Sequence, residues 1–150
     1  MSNILNQDFE EFISAFNRND VKYILVGGYA VIFHGYVRTT GDIDLWVKKD
    51  EGNYNKIFKA FHDFGMPLFD LTKENFLYNE NMDVFTYGRP PVSIDVVTSI
   101  KGLNFDESYQ NSIIKNIDGV NIRTVSLDDL RKAKKAAGRP RDINDLENLK

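Results

Sequence analysis

Between Val26 and Val47 the chain reads Val-Gly-Gly-Tyr-Ala-Val-Ile-Phe-His-Gly-Tyr-Val-Arg-Thr-Thr-Gly-Asp-Ile-Asp-Leu-Trp-Val. An apolar run, Tyr23 to Val26, stops at Gly27-Gly28, and a short helical stretch then leads to Asp42-Ile43-Asp44. Residues two apart on a strand project to the same face. Asp42 and Asp44 therefore point together, while Ile43, Leu45 and Val47 point the other way, as a core face should. Adjacent carboxylates repel and resist ionising together. A divalent cation removes that conflict, and Mg²⁺ prefers oxygen ligands of this kind. Gly-Gly before a helix start lets the backbone approach a ligand closely, and helix-terminal N–H groups favour phosphate. A phosphate turn followed by paired carboxylates is suited to a nucleoside triphosphate.

The rest of the chain supplies a framework for that pair. Phe9, Phe12, Ile13 and Phe16 recur at helical spacing and predict an amphipathic helix over 7–18. Lys22 to Val26 reads as the first strand, Tyr29 to His34 as a short helix closed by Gly35, and Asp42 to Val47 as the second strand. Ile57, Phe58, Phe61 and Phe64 mark a second amphipathic helix, with Gly65 and Pro67 as stop signals. Residues 68–82 read as an irregular connection with a short helix around Lys73 to Phe76. Asp83 to Tyr87 and Val92 to Val97, separated by Gly88-Arg89-Pro90-Pro91, read as an antiparallel pair. In the second of these, Ile94 and Val96 face one way and Asp95 the other. Asp118-Gly119 predicts a tight turn between Ile113–Ile117 and Val120–Val125. Ser126 caps a helix ending at Gly138, Arg139-Pro140 breaks the chain, and Asp142 is placed to cap a last helix carrying Ile143, Leu146 and Leu149. These elements predict one α+β domain over residues 1–150, a mixed β-sheet with helices packed against it.

Composition narrows the chemistry. An apolar share of 42% with 13% aromatics is that of a folded chain, not a disordered one. The absence of cysteine excludes disulfides, thiolate zinc sites and a Cys nucleophile. Apolar runs are too short to span a membrane and the N-terminus lacks a signal peptide's regions, so a cytoplasmic location is expected. A net charge of −3 argues against broad electrostatic binding to nucleic acid. One local exception is the cluster Arg131, Lys132, Lys134, Lys135, Arg139 and Arg141, which reads either as a solvated helix face or as a phosphate-contacting surface.

The Gly-Gly turn, the helix, the Asp-x-Asp pair and a third strand-borne carboxylate together resemble the nucleotidyltransferase superfamily. That superfamily includes DNA polymerase β, the aminoglycoside and lincosamide nucleotidyltransferases, and small bacterial proteins of toxin–antitoxin loci. The likeness covers residues 23–97 in outline, and a weaker similarity to the short bacterial members runs through Lys134, Arg139, Asp142 and Asp145. It implies a polymerase β-like fold and two Mg²⁺ ions held by Asp42, Asp44 and Asp95, with Asp95 also drawing off the acceptor's proton. It implies nucleotide contacts from Gly27, Gly28, Arg38, Thr40, Lys134 and Arg139. The family often carries Ser at the second turn position; Gly28 lacks that hydroxyl, so backbone N–H groups and basic side chains must hold the phosphates.

Read by themselves, several of these residues have a second meaning. Arg38 either forks onto phosphate or is a surface loop arginine, and Thr40 either contacts phosphate or shapes the turn. Lys134 and Arg139 either reach phosphate or serve in capping and surface pairing, so neutralising each should lower transfer and leave folding nearly intact. His34 is expected to be packed and Trp46 to cover an apolar patch. The activity implied is Mg²⁺-dependent transfer of a nucleoside monophosphate from an NTP such as ATP to a hydroxyl acceptor, a protein or tRNA in a toxin–antitoxin setting. The alternative is a nucleotide- or partner-binding module without transfer. Only about fifty residues follow Asp95, whereas antibiotic-modifying relatives usually add a helical domain. A partner protein or a second copy is therefore expected to complete the acceptor site.

Overall fold

The computed structural model describes residues 6–89 and 92–149. Helices α1 (Gln7–Arg18), α2 (Gly27–Phe33), α3 (Glu51–Phe64), α4 (Lys73–Tyr78), α5 (Phe105–Asn111), α6 (Leu127–Ala137) and α7 (Pro140–Asn148) surround six strands. These are β1 (Tyr23–Val26), β2 (Asp42–Val47), β3 (Val84–Arg89), β4 (Val92–Val97), β5 (Ile113–Ile117) and β6 (Val120–Thr124). All six strands belong to one sheet in the order β3-β4-β2-β1-β6-β5. The β2–β4 and β1–β6 pairs are parallel and the others antiparallel, which makes the sheet mixed, as expected.

Local chemistry sets the element ends. Asn6, Asp50 and Ser126 accept backbone N–H bonds at the starts of α1, α3 and α6, at 2.7, 2.7 and 3.2 Å. Gly65 and Gly138 close α3 and α6 in the left-handed conformation, at φ of 85° and 65°, where a Cβ is disfavoured. Alternation along the strands then divides the sheet into two faces. Leu25, Ile43, Leu45, Val47, Ile94 and Val96 pack with Phe9, Phe12 and Phe16 of α1 and Ile57 and Phe61 of α3. Ile24, Val26, Trp46 and Val97 pack on the opposite face with Ala30, Val31, Leu130 and Leu149, and Phe105 and Tyr109 lie against them. Each fully buried large apolar side chain stabilises the fold by about 1.5–3 kcal/mol.

Four details differ from expectation. Helix α5 was not foreseen, although Asn104 caps it by accepting from Glu107 N at 3.1 Å. Its Phe105 and Tyr109, one turn apart, stack at 5.6 Å, and two apolar residues are too few for a sequence pattern to stand out. Helix α2 begins at Gly27, and β3 continues through Arg89; the expected turn at Pro90-Pro91 lies outside the described residues. Phe58 is exposed, because Tyr54, Ile57, Ala60 and Phe61 occupy the inward face of α3. Finally, α7 starts at Pro140, with Arg139 as its N-cap and Asp142 in its first turn. Proline suits a first helical position because its missing N–H has no intrahelical role there. Among the described residues no helix is long and apolar enough to cross a membrane.

Candidate active site

The parallel β2–β4 register places Asp44 directly across from Asp95 and Asp42 across from Ser93. Residues opposite each other on neighbouring strands share a face, so all three carboxylates project to the side that carries Trp46 and Val97. Asp44 shares a hydrogen bond with Asp95. Burial first, then that bond and the charges of Asp95 and Asp42, push the Asp44 carboxyl up to about 7, against the pull of Lys134. Asp42 is exposed and accepts a 2.6 Å hydrogen bond from Ser93 Oγ. In these rotamers no group of three or more metal-ligating side chains converges among the described residues. Asp44 and Asp95 nevertheless have the chemistry of a cation site: Asp95 Oδ1 is buried without a hydrogen-bond partner, and Asp44 ionises against its neighbours. A dication would relieve both conditions.

The glycine turn lies directly beside this pair. Gly27 has φ +72°, and a Cβ there would collide with the Asp44 carboxylate. A Cβ at Gly28 would lie 2.6 Å from Thr40 Oγ1 and 3.3 Å from Arg38 Nη2. Thr40 therefore brings a hydroxyl from the far end of the loop into the space that a serine side chain at position 28 would need. Arg38 stands at the same point, its Nε 2.9 Å from Asp145 Oδ1 and its Nη2 donating to Asp145 Oδ2 at 3.1 Å.

The late basic residues divide. Lys132 and Lys135 are solvated, whereas Lys134 is buried, with its Nζ 3.2 Å from Asp142 Oδ1 and 2.9 Å from Asp145 Oδ2. Both carboxylates are 0% exposed, so the surface-pairing reading of Lys134 does not hold. Neither does the expectation that neutralising it spares the fold. Arg139, with 67% of its side chain exposed, donates Nε to Asp142 Oδ2 at 2.7 Å. Burial pushes the Asp142 carboxyl up, but hydrogen bonds from Arg139 and Lys134 outweigh it and hold the group down at about 2. Asp142 also accepts from Arg139 N at 3.1 Å, so it satisfies the start of α7 from within the first turn.

A cavity of about 400 Å³ joins these parts. Gly27 and Asp44 form one wall, Lys134, Arg139 and Asp142 another, and Val97, Ile100, Leu103, Leu130, Ala133 and Ala137 an apolar side. Arg38 and Thr40 stand at Gly28, outside its lining. Trp46 is 2% exposed and edge-on to Phe105 at 5.1 Å, so it covers apolar surface as expected. His34 caps α2 and its Nε2 lies 2.7 Å from Val125 O; burial lowers its pKa. Ser93 was not singled out from sequence, because nothing in a strand reveals which residue a parallel neighbour will place opposite. Asp145 was noted only through family likeness; its partner Arg38 lies 107 residues away.

Comparison with known proteins agrees with this fold. A family model described as "Nucleotidyltransferase of unknown function (DUF6036)" matches residues 4–150. The fold is similar to the lincosamide antibiotic adenylyltransferase LnuA solved with lincomycin bound, at 16% identity and a TM-score of 0.57, over 99% of this chain and 98% of that one. It is also similar to a nucleotidyltransferase structure from Thermotoga maritima, at 13% identity and a TM-score of 0.57, over 92% of this chain and 87% of that one. An antigenic nucleotidyltransferase-like protein from Paracoccidioides brasiliensis aligns at 15% identity and a TM-score of 0.53, over 97% and 77% of the two chains. No curated protein matches the chain.

Proposed function

Because the chain belongs to this nucleotidyltransferase family, we propose that it moves a nucleoside monophosphate from an NTP to a hydroxyl acceptor. The observation that carries this reading is the in-register pairing of Asp44 with Asp95 beside the Gly27 turn. Asp42, Asp44 and Asp95 would hold two Mg²⁺ ions, which when bound stabilise the attacking and leaving oxygens of such a displacement. The bare backbone at Gly27 and Gly28, with Arg38 and Thr40 beside it, receives the triphosphate. Lys134 and Arg139 offer donors from the opposite wall of the cavity, whose apolar side suits a nucleoside. Asp95, across from Asp44, takes the acceptor hydroxyl's proton. The acceptor oxygen bonds to the α-phosphorus as the bond to pyrophosphate breaks.

The acceptor class rests on less. Family likeness favours a protein or tRNA hydroxyl in a toxin–antitoxin setting, with a partner or second copy completing the site. Chain length does not decide against a small drug, contrary to the earlier expectation, since LnuA is matched over 98% of its chain and carries lincomycin. A second reading, a nucleotide-binding module without transfer, is favoured by Asp42 being turned to Ser93. Incubation with Mg²⁺ and each α-labelled NTP, with protein, tRNA and lincosamide acceptors, separates them. Labelled acceptor with pyrophosphate release, abolished by Asp44→Asn, is the expected result. NTP binding without transfer to any acceptor would favour the second reading, and no NTP binding would overturn both.

A further inference from the structure

Helix α7 lies at the end of the chain, yet it reaches the phosphate turn. Asp145 on α7 is fully buried; it accepts a hydrogen bond from Arg38 Nη2 at 3.1 Å, and Arg38 Nε lies 2.9 Å from its other oxygen as an ion pair. A second contact ties the same loop to the same helix: Asn144 Nδ2 donates to Tyr36 Oη at 3.0 Å. Between the backbone bonds that anchor Tyr36 and Gly41, Val37 is 83% exposed and Thr39 is exposed. A guanidinium is a planar, always-charged group, and one hydrogen bond with an ion pair beside it holds it near the turn. The contact leaves Nη2 near Gly28, where a Cβ would stand 3.3 Å from it. Asp145 also receives Lys134 Nζ at 2.9 Å, so its buried charge is matched by two cations.

We propose that Asp145 is a positioning residue of the nucleotide site: through Arg38 it presents a fixed guanidinium face to a triphosphate seated on the Gly27-Gly28 turn. This rests on the transfer reading above and makes the last helix part of the site. Without that contact, Arg38 would sample its several rotamers in solvent and would have to be ordered on each binding event. Asp145→Asn also removes one of the two carboxylates that Lys134 meets, so Arg38→Lys, which leaves that ion pair untouched, isolates the Arg38 contact.

The test pairs a spectroscopic readout with binding of Mg²⁺·ATP. In ¹⁵N NMR of the free protein, the Arg38 guanidinium N–H resonances should be protected from exchange and should broaden or vanish in Asp145→Asn, with β1 amides unmoved. By calorimetry, Asp145→Asn and Arg38→Lys should each weaken Mg²⁺·ATP about tenfold. The double variant should be no more than about twofold worse than either single one, as expected for two groups acting as a unit. Arg38→Lys alters the less buried partner, so it reports on the contact even if Asp145→Asn folds poorly. Multiplied losses, or tighter ATP binding in Asp145→Asn, would overturn the inference; the latter would mean that Asp145 only offsets charge. Wild-type protein that binds no Mg²⁺·ATP would overturn the transfer reading as well, whereas wild-type binding with an unaffected Asp145→Asn overturns this inference alone.

Discussion

Gly27 and Asp44 determine each other. The backbone at Gly27 has φ +72°, and its missing Cβ leaves the volume that the Asp44 carboxylate occupies. Gly27→Ala combines a strained conformation, costing about 1–3 kcal/mol, with a displaced carboxylate. It should lower the melting temperature and weaken Mg²⁺·ATP together, read by thermal melts and calorimetry. The Asp44 carboxyl has a second consequence. Its pKa rises from 3.8 to about 7 on folding, so between those values the native state binds more protons than the unfolded state. Stability therefore falls as pH rises through that window. Melts in chelator should drop from pH 4 to pH 7 and then level, Asp44→Asn should flatten this limb, and added Mg²⁺ should raise the melting temperature above pH 7.

The α6–α7 pair depends on buried charge in a way that its exposed basic residues conceal. Lys134 sits between Asp142 and Asp145, both 0% exposed. Removing one member of a buried ion cluster leaves the others uncompensated, a loss of about 3–5 kcal/mol. Lys134→Met should therefore shift the urea midpoint far more than Arg139→Gln, whose side chain is largely exposed. Asp142 works in the opposite sense to Asp44. Its pKa falls from 3.8 to about 2 on folding, so its contribution is present above 3.8 and is lost as pH falls toward 2. Acid unfolding of the α6–α7 pair, followed by circular dichroism, should begin below pH 4.

Across the molecule the two sides of Asp44 differ. Toward α6 lies the cavity. Toward β3 the sheet is open: Val84 and Thr86 pair with Val97 and Asp95, share their face, and are exposed. If the cavity takes the nucleotide, the acceptor approaches over β3. Thr86→Trp should then cut transfer tenfold or more while Mg²⁺·ATP affinity stays within about twofold, measured by transfer assay and calorimetry on one preparation.

What could be read from the residues alone was whatever repeats over short distances. Alternation in Asp42 to Val47 set the carboxylates on one face and Ile43, Leu45 and Val47 on the other. Helical spacing in Phe9 to Phe16 and the caps Ser126 and Gly138 marked α1 and α6 almost to the residue. Likeness in the Gly27 to Asp95 pattern indicated the family that the chain belongs to. Strand order, register and the inward turn of Lys134 belong to the tertiary structure. Ser93 meets Asp42 only because β4 pairs with β2 in parallel, and Arg38 meets Asp145 only because α7 folds back on the loop. Such contacts join segments far apart in the chain, and their strength comes from burial that no local pattern encodes. Lys134 has the same neighbours in sequence whether it faces water or two buried carboxylates, and only packing settles which.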